Sequence, residues 1–301
     1  MPKGLRVVLY SVGGLVGLVL VLVLVVYSVS SAHMAKVYEI ASENIVVPSD
    51  SGSVAQGKHI AITRGCRDCH GENLQGGVII NDPAMGYIAG PNLTGAEGSA
   101  TAEFNDADWV RAIRHGVGKE GLPLIMMPSG EYYYLSDEDL GDLIAYLKSL
   151  EPIDNDPGMS KVGPLGRALY TFGQMPTLLH AELIDHNAPH PEAPPMGETI
   201  EYGEYLAKGC TGCHGVNLAG GAIVGAPPSW PKAANLTPDE SGMKGWTHDD
   251  FVTAMREGVR PDGVELNPIM PWQSFKSLKD VELNALWLYV SSLEPRAYAQ
   301  N

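Results

Sequence analysis

Gly65-Cys66-Arg67-Asp68-Cys69-His70-Gly71-Glu72-Asn73-Leu74-Gln75-Gly76-Gly77 returns 144 residues later as Gly209-Cys210-Thr211-Gly212-Cys213-His214-Gly215-Val216-Asn217-Leu218-Ala219-Gly220-Gly221. Working outward, Asn92-Leu93-Thr94 returns as Asn235-Leu236-Thr237 at an offset of 143, and Asp108-Trp109-Val110 as Asp250-Phe251-Val252 at 142. Met127-Pro128 and Leu150-Glu151-Pro152 return as Met270-Pro271 and Leu293-Glu294-Pro295, both at 143. An offset this constant means two copies of one domain with small loop insertions, since two units are too few for a solenoid.

Each copy reads as helical. Ser136 and Asp137 open a helix with Leu140, Leu143, Ile144 and Leu147 at helical spacing, stopped before Pro152. Asp280 to Leu293 does the same with Val281, Leu283, Ala285, Leu286 and Val290. Shorter helices with acidic starts are predicted over Asp106–His115 and Asp249–Glu257, and Gln56–Cys69 and Tyr202–Cys213 read as helices running into the cysteines. Between them lie Gly- and Pro-rich loops, Gly76–Asn92 and Gly220–Asn235, and strand signals are weak. The fold class is therefore all-α.

Val7 to Val29 carries no charge, and 23 helical residues rise about 34 Å, enough to cross a hydrocarbon core of about 30 Å. Lys3 and Arg6 precede it, so the positive-inside rule predicts a cytoplasmic N-terminus in a single-pass anchor, with the rest of the chain periplasmic. A cleaved secretion signal is the competing reading, but its apolar region would be shorter and end at an Ala-x-Ala site. The chain carries a net charge of −15, which excludes nucleic acid as a partner. The organisation expected is anchor at 1–30, spacer at 31–51, first domain at 52–153, linker at 154–196 and second domain at 197–301. Within the linker, Leu165–Ile184 reads as a helix broken at Pro176, and Ala188–Pro195 as an extended spacer. A connection of 43 residues leaves the packing of the two halves open.

Cys-x-x-Cys-His is the attachment signature of c-type haem. Two thiols three positions apart on one turn can reach the two haem vinyl groups, and the adjacent histidine offers its imidazole to the iron. The two motifs consume all four cysteines, which suits a haem site better than a disulfide scaffold. A thioredoxin-like redox pair would need alternating strands and helices, and structural zinc would need a fourth ligand in each copy. Met127 and Met270 stand 57 and 56 residues after their histidines, each followed by proline, and are candidate second axial ligands. Met126 is a rival to Met127 outside the Met-Pro register. Arg114 and Arg256 occupy equivalent places and are candidate propionate contacts, with an ordinary exposed helix arginine as the alternative. His180, His186 and His190 in the linker read as solvated, and Tyr132-Tyr133-Tyr134 as packing around the core or the haem.

With these motifs in order, each copy resembles a class I cytochrome c domain over roughly Gln56–Pro152 and Tyr202–Pro295. The whole resembles the membrane-anchored dihaem cytochromes, so the expected architecture is a transmembrane helix followed by two tandem cytochrome c domains. The resemblance implies two covalently bound haems c, on Cys66, Cys69, His70 and Met127 and on Cys210, Cys213, His214 and Met270. It implies an electron carrier rather than an enzyme, in the respiratory chain of the bacterial cytoplasmic membrane. Expected partners are a periplasmic dehydrogenase, a quinol-oxidising complex, a soluble cytochrome or a terminal oxidase. A peroxidase-like dihaem enzyme, or a haem-based redox or gas sensor, is the alternative; two Met-Pro motifs speak against the vacant iron position that a peroxidase needs.

Overall fold

The computed structural model describes residues 2–299; residues 1, 300 and 301, which fall at the ends of the first and last expected segments, lie outside it. The apolar N-terminal stretch forms α1 (Lys3–Met34), which continues past Val29 for more than a turn and exposes most of its apolar side chains. The following residues, 36–50, have no regular secondary structure, but they are not the free spacer expected at 31–51. They lie along the first domain: Tyr38 N–H donates to Gly121 O at 2.8 Å, and Ile45 and Val47 pack on its core. Removing those side chains from water is sufficient reason for the segment to dock.

In the first domain, α2 (Ser51–Thr63) is N-capped by the Asp50 carboxylate, which accepts from the Gly52 and Ser53 amides. The predicted continuous helix through the cysteines is interrupted at Gly65, whose φ of 72° lies in the left-handed region. A separate short helix, α3 (Cys66–His70), carries the motif. The expected loop at Gly76–Asn92 contains a hairpin instead, β1 (Gly77–Asp82) and β2 (Gly86–Gly90). Then come α4 (Asp106–His115), closed at its start by an Asn105/Asp108 capping box, α5 (Ser129–Tyr132) and α6 (Asp137–Lys148), capped by Ser136. The linker adds β3 (Lys161–Val162), which completes an antiparallel sheet in the order β1-β2-β3. The mostly helical fold thus gains one small sheet.

The linker continues as α7 (Pro164–Thr171) and two 3₁₀ turns, Pro176–Leu178 and His180–Glu182. Val162, Tyr170, Met175, Leu178 and Leu179 bury themselves with Ile88 in a third apolar cluster against the first domain. The second domain repeats the plan with α8 (Ile200–Ala207), a 3₁₀ turn at Lys208–Cys210, α9 (Thr211–His214), α10 (His248–Glu257), α11 (Trp272–Phe275) and α12 (Asp280–Ser292). In both domains the first and last helices cross at a glycine. A Cβ on Gly57 would stand 1.9 Å from Asp142 O, and one on Gly203 2.0 Å from Ala285 O. Only glycine allows the helices to approach so closely.

The two domains pack directly on each other, and the contacts come in reciprocal pairs. His59 donates to both Glu282 carboxylate oxygens at 2.8 and 2.9 Å. Their counterparts by the repeat, Tyr205 and Asp139, make the mirror contact through the Tyr205 hydroxyl. Asp68 of the first motif accepts from Ser274 Oγ at 3.5 Å, and Gly212, its counterpart in the second motif, lies against Glu131, the counterpart of Ser274. Reciprocity of this kind defines a pseudo-two-fold axis. It brings the two Cys-x-x-Cys-His helices to the same interface.

Candidate functional site

The left-handed turn at Gly65 sets Cys66 and Cys69 three residues apart on α3, with His70 buried behind them. His70 Nδ1 lies 2.8 Å from Pro91 O, and His214 Nδ1 lies 2.7 Å from Ala234 O. A carbonyl only accepts, so Nδ1 carries the proton in both rings and Nε2 keeps its lone pair for a metal. The loops that supply those carbonyls are fixed by the repeated Asn-Leu-Thr. Asn92 Oδ1 accepts from the Thr94 amide and hydroxyl while Nδ2 donates to Ile153 O and Asn155 O. Asn235 does the same with Thr237, and its Nδ2 donates to Ser241 Oγ and Arg296 O. The repetition of Asn-Leu-Thr was the signal for this bracing role, which the spacing alone left unassigned.

Leu74 and Leu218 follow the motifs with φ of 59° and 55°, unusual for a leucine, and both side chains are fully buried. The same strained conformation kept in two copies marks a built site. Met127 packs on the core that also receives Cys66 and contains Leu74, Leu93, Trp109 and Tyr132. Met270 packs on the equivalent core with Cys210, Leu218 and Phe251. Pro128 and Pro271 share φ −79° and ψ 51°, so the chain leaves each methionine identically. Met126, with φ 58°, turns the other way: its amide donates to Leu178 O at 2.9 Å, and its side chain joins the linker cluster.

Burial pushes the Cys66 thiol up to about 12 and the Cys210 thiol up to about 11, so both are neutral at physiological pH. Among the described residues, no group of three His, Cys, Asp or Glu side chains is arranged to hold a metal ion on its own. Paired thiols, an imidazole with a free Nε2 and a thioether on the same apolar core fit a covalently attached haem in each domain. Between the motifs sits Arg64, whose Nη1 donates to Leu206 O at 3.1 Å and lies 2.2 Å from where a Cβ on Gly209 would be. Its positive charge is felt at both Cys66 and Cys210. Burial raises the nearby Glu131 carboxyl, and Arg64 partly offsets this.

Arg114 and Arg256, the candidate propionate contacts, are both engaged by protein groups. Arg114 is fully buried and donates to Glu43, to Asp137 Oδ1 at 3.0 Å and to Leu135 O at 2.7 Å. Arg256 donates to Lys276 O and to Asp280 Oδ1 at 2.7 Å. Both arginines thus hold the start of their domain's last helix, since Asp137 and Asp280 open α6 and α12. Nor are the linker histidines solvated. His186 Nδ1 lies 3.0 Å from His115 Nδ1, His115 Nε2 meets Glu43 at 2.5 Å, and His190 Nε2 stands 3.5 Å from the same carboxylate. Burial lowers His180. Tyr132 and Tyr133 are buried, donating to Arg64 O and Ala188 O, while Tyr134 is exposed.

The sequence model of the cytochrome c family matches residues 54–151 and again residues 200–294, one match on each copy. The chain belongs to the cytochrome c family. It is similar to a subunit of the nicotinate dehydrogenase of Pseudomonas putida, at 26% identity over 288 residues, covering 85% of this chain and 23% of that protein. It is equally similar to the cytochrome c subunit of the quinone-dependent alcohol dehydrogenase of Gluconacetobacter polyoxogenes, at 26% over 280 residues, 82% of this chain and 57% of the relative. The fructose dehydrogenase cytochrome subunit of Gluconobacter japonicus matches at 26% over 273 residues, 81% and 53%. The chain therefore spans between about a quarter and just over half of these relatives' lengths. Membership of this family implies haem c and electron transport.

Proposed function

We propose that this chain is the cytochrome subunit of a dehydrogenase complex, held in the cytoplasmic membrane by α1, with both domains in the periplasm. Two covalently bound haems c would supply single-electron transfer, one held by Cys66, Cys69, His70 and Met127 and the other by Cys210, Cys213, His214 and Met270. The observation that carries this reading is the duplicated ligand set: in each domain a histidine with Nδ1 pinned to a carbonyl and a Met-Pro methionine on the same core as the first cysteine.

Haem, when bound, supplies the one-electron couple. Cys66 and Cys69, and Cys210 and Cys213, attach it; His70 and His214 present Nε2; Met127 and Met270 offer soft sulfur, which favours the ferrous form. The apolar cores around the methionines exclude water and keep the change of charge in a preformed environment. The relatives named as dehydrogenase subunits support a dehydrogenase as electron donor; a quinol-oxidising complex, a soluble cytochrome or a terminal oxidase is the further redox partner of this reading. Lys3 and Arg6, in the first turn of α1 and ahead of its uncharged stretch, support the orientation.

The test is an absorption spectrum of the purified ferric protein with covalent haem counted per chain. Two haems and two equivalents of the weak far-red methionine–iron band are expected. One equivalent, or a high-spin component, would exclude the paired His/Met carrier and reopen a reactive haem. Co-purification of a dehydrogenase from mildly solubilised membranes tests the complex, and protease accessibility in spheroplasts tests the orientation.

A further inference from the structure

Helix α7 is built the wrong way round for a helix facing water. Its inner side carries Gly166 and Tyr170, both buried. Its outer side carries Leu165 and Ala168 and is continued at helical spacing by the C-cap residue Phe172, and the two large side chains are 45% and 60% exposed. No charge interrupts that stripe. The remaining side of α7 lies on α1: Arg167 donates to Ser30 Oγ at 2.8 Å and Ser31 Oγ at 3.0 Å, and Thr171 Oγ1 donates to Val26 O at 3.4 Å.

These pairings fix a direction. Four residues forward on α7 correspond to four or five residues back on α1, so α7 runs antiparallel to the apolar helix and descends along it. Phe172 is therefore level with Val26, three residues or about 4.5 Å inside the Val- and Leu-rich stretch that ends at Val29. The charged groups stay above. Arg167 sits at the level of Ser30 and Ser31 with its guanidinium 4.9 Å from the Tyr27 ring centre, and His33 pairs with Glu182 at 2.6 Å. Aromatic rings and long cationic side chains at the boundary, with no charged group beneath, is the order that a bilayer interface imposes.

We propose that α7 is an interfacial helix, whose stripe of Leu165, Ala168 and Phe172 is buried among phospholipid headgroups and upper acyl chains beside α1. This rests on the reading of α1 as a membrane anchor and adds a second point of attachment. One helix alone leaves a domain free to swivel about it. A second apolar edge, rigidly joined to the first domain through Tyr170, Met175 and Leu178, sets the tilt of the whole molecule over the membrane.

The experiment uses the full haem-loaded chain in vesicles of phosphatidylethanolamine and phosphatidylglycerol. The native cysteines being attached to haem, single cysteines can be introduced by Phe172→Cys, Leu165→Cys, Leu20→Cys and Val264→Cys and labelled with a nitroxide. Relaxation by oxygen is then compared with relaxation by a water-soluble nickel chelate. The oxygen-to-nickel ratio at positions 172 and 165 is expected to exceed that at 264, an exposed site on the second domain, by several-fold and to lie below that at position 20. A lipid-like ratio at 20 with water-like ratios at 172 and 165 would overturn the interfacial helix while leaving the anchor, and would leave the stripe to a protein partner. A water-like ratio at 20 would overturn the anchor and the interfacial helix together.

Discussion

Met126 and Met127 are adjacent, chemically identical and both partly buried, and what separates them is the sign of φ at Met126. Turning left, Met126 gives its side chain to the linker; Met127 then faces the core that receives Cys66. Met127→Ala is accordingly expected to remove one equivalent of the far-red band and lower one haem potential, whereas Met126→Ala leaves the band at full strength; a ferric spectrum and a redox titration check both. Arg64 is a fixed cation next to both motifs, and a cation favours the state with the extra electron. Arg64→Leu is expected to lower both potentials, each by on the order of 30 mV, in a spectroelectrochemical titration. At this scale the motif residues were legible because their chemistry depends on spacing along the chain. Arg114 was not legible: its carboxylate partner Glu43 is 71 residues away, and nothing near either residue announces the pair.

Helices declared themselves through caps and apolar spacing. Ser136, Asn105 and Thr247 each cap the helix that the sequence predicts, and the stops at Gly116 and Gly258 are left-handed glycines. The hairpin β1–β2 was hidden because Gly77, Gly86 and Gly90 read as loop residues, and its pairing with β3 joins segments about 75 residues apart. The docked strap at 36–50 was hidden for a related reason, since its few apolar residues have no period and only the domain behind them gives them a partner. The crossing of first and last helices is the element on which each domain depends. Gly57→Ala and Gly203→Ala would each drive a methyl group into a backbone carbonyl, and each is expected to cost about 1–3 kcal/mol in denaturant unfolding followed by far-ultraviolet circular dichroism.

Over the whole molecule, strap, linker and first domain meet at one carboxylate. Burial alone would raise Glu43, but hydrogen bonds from His115 and Arg114 and their charges outweigh it and hold the carboxyl at about 2. A folded value below the ordinary 4.5 means that the contribution of Glu43 is fully present above pH 4.5 and is lost as the pH falls from there towards 2. Acid is therefore expected to release the strap, read as faster proteolysis within residues 36–50. At neutral pH, Glu43→Gln, which leaves the buried Arg114 with Asp137 as its one carboxylate partner, is expected to cost about 2 kcal/mol in denaturant unfolding.

The pseudo-two-fold axis between the domains has a consequence for ancestry. Two halves that meet by reciprocal contacts are what remains when a gene encoding a self-pairing protein is duplicated and fused. In a true pair every substitution appears on both sides at once; after fusion each side drifts separately. Arg64 and Lys208 stand at the same position, two residues before their first cysteine, yet Arg64 reaches across the axis while Lys208 turns outward to Glu204. A charge kept on one side only makes two halves that began as equals distinguishable to whatever docks beside them.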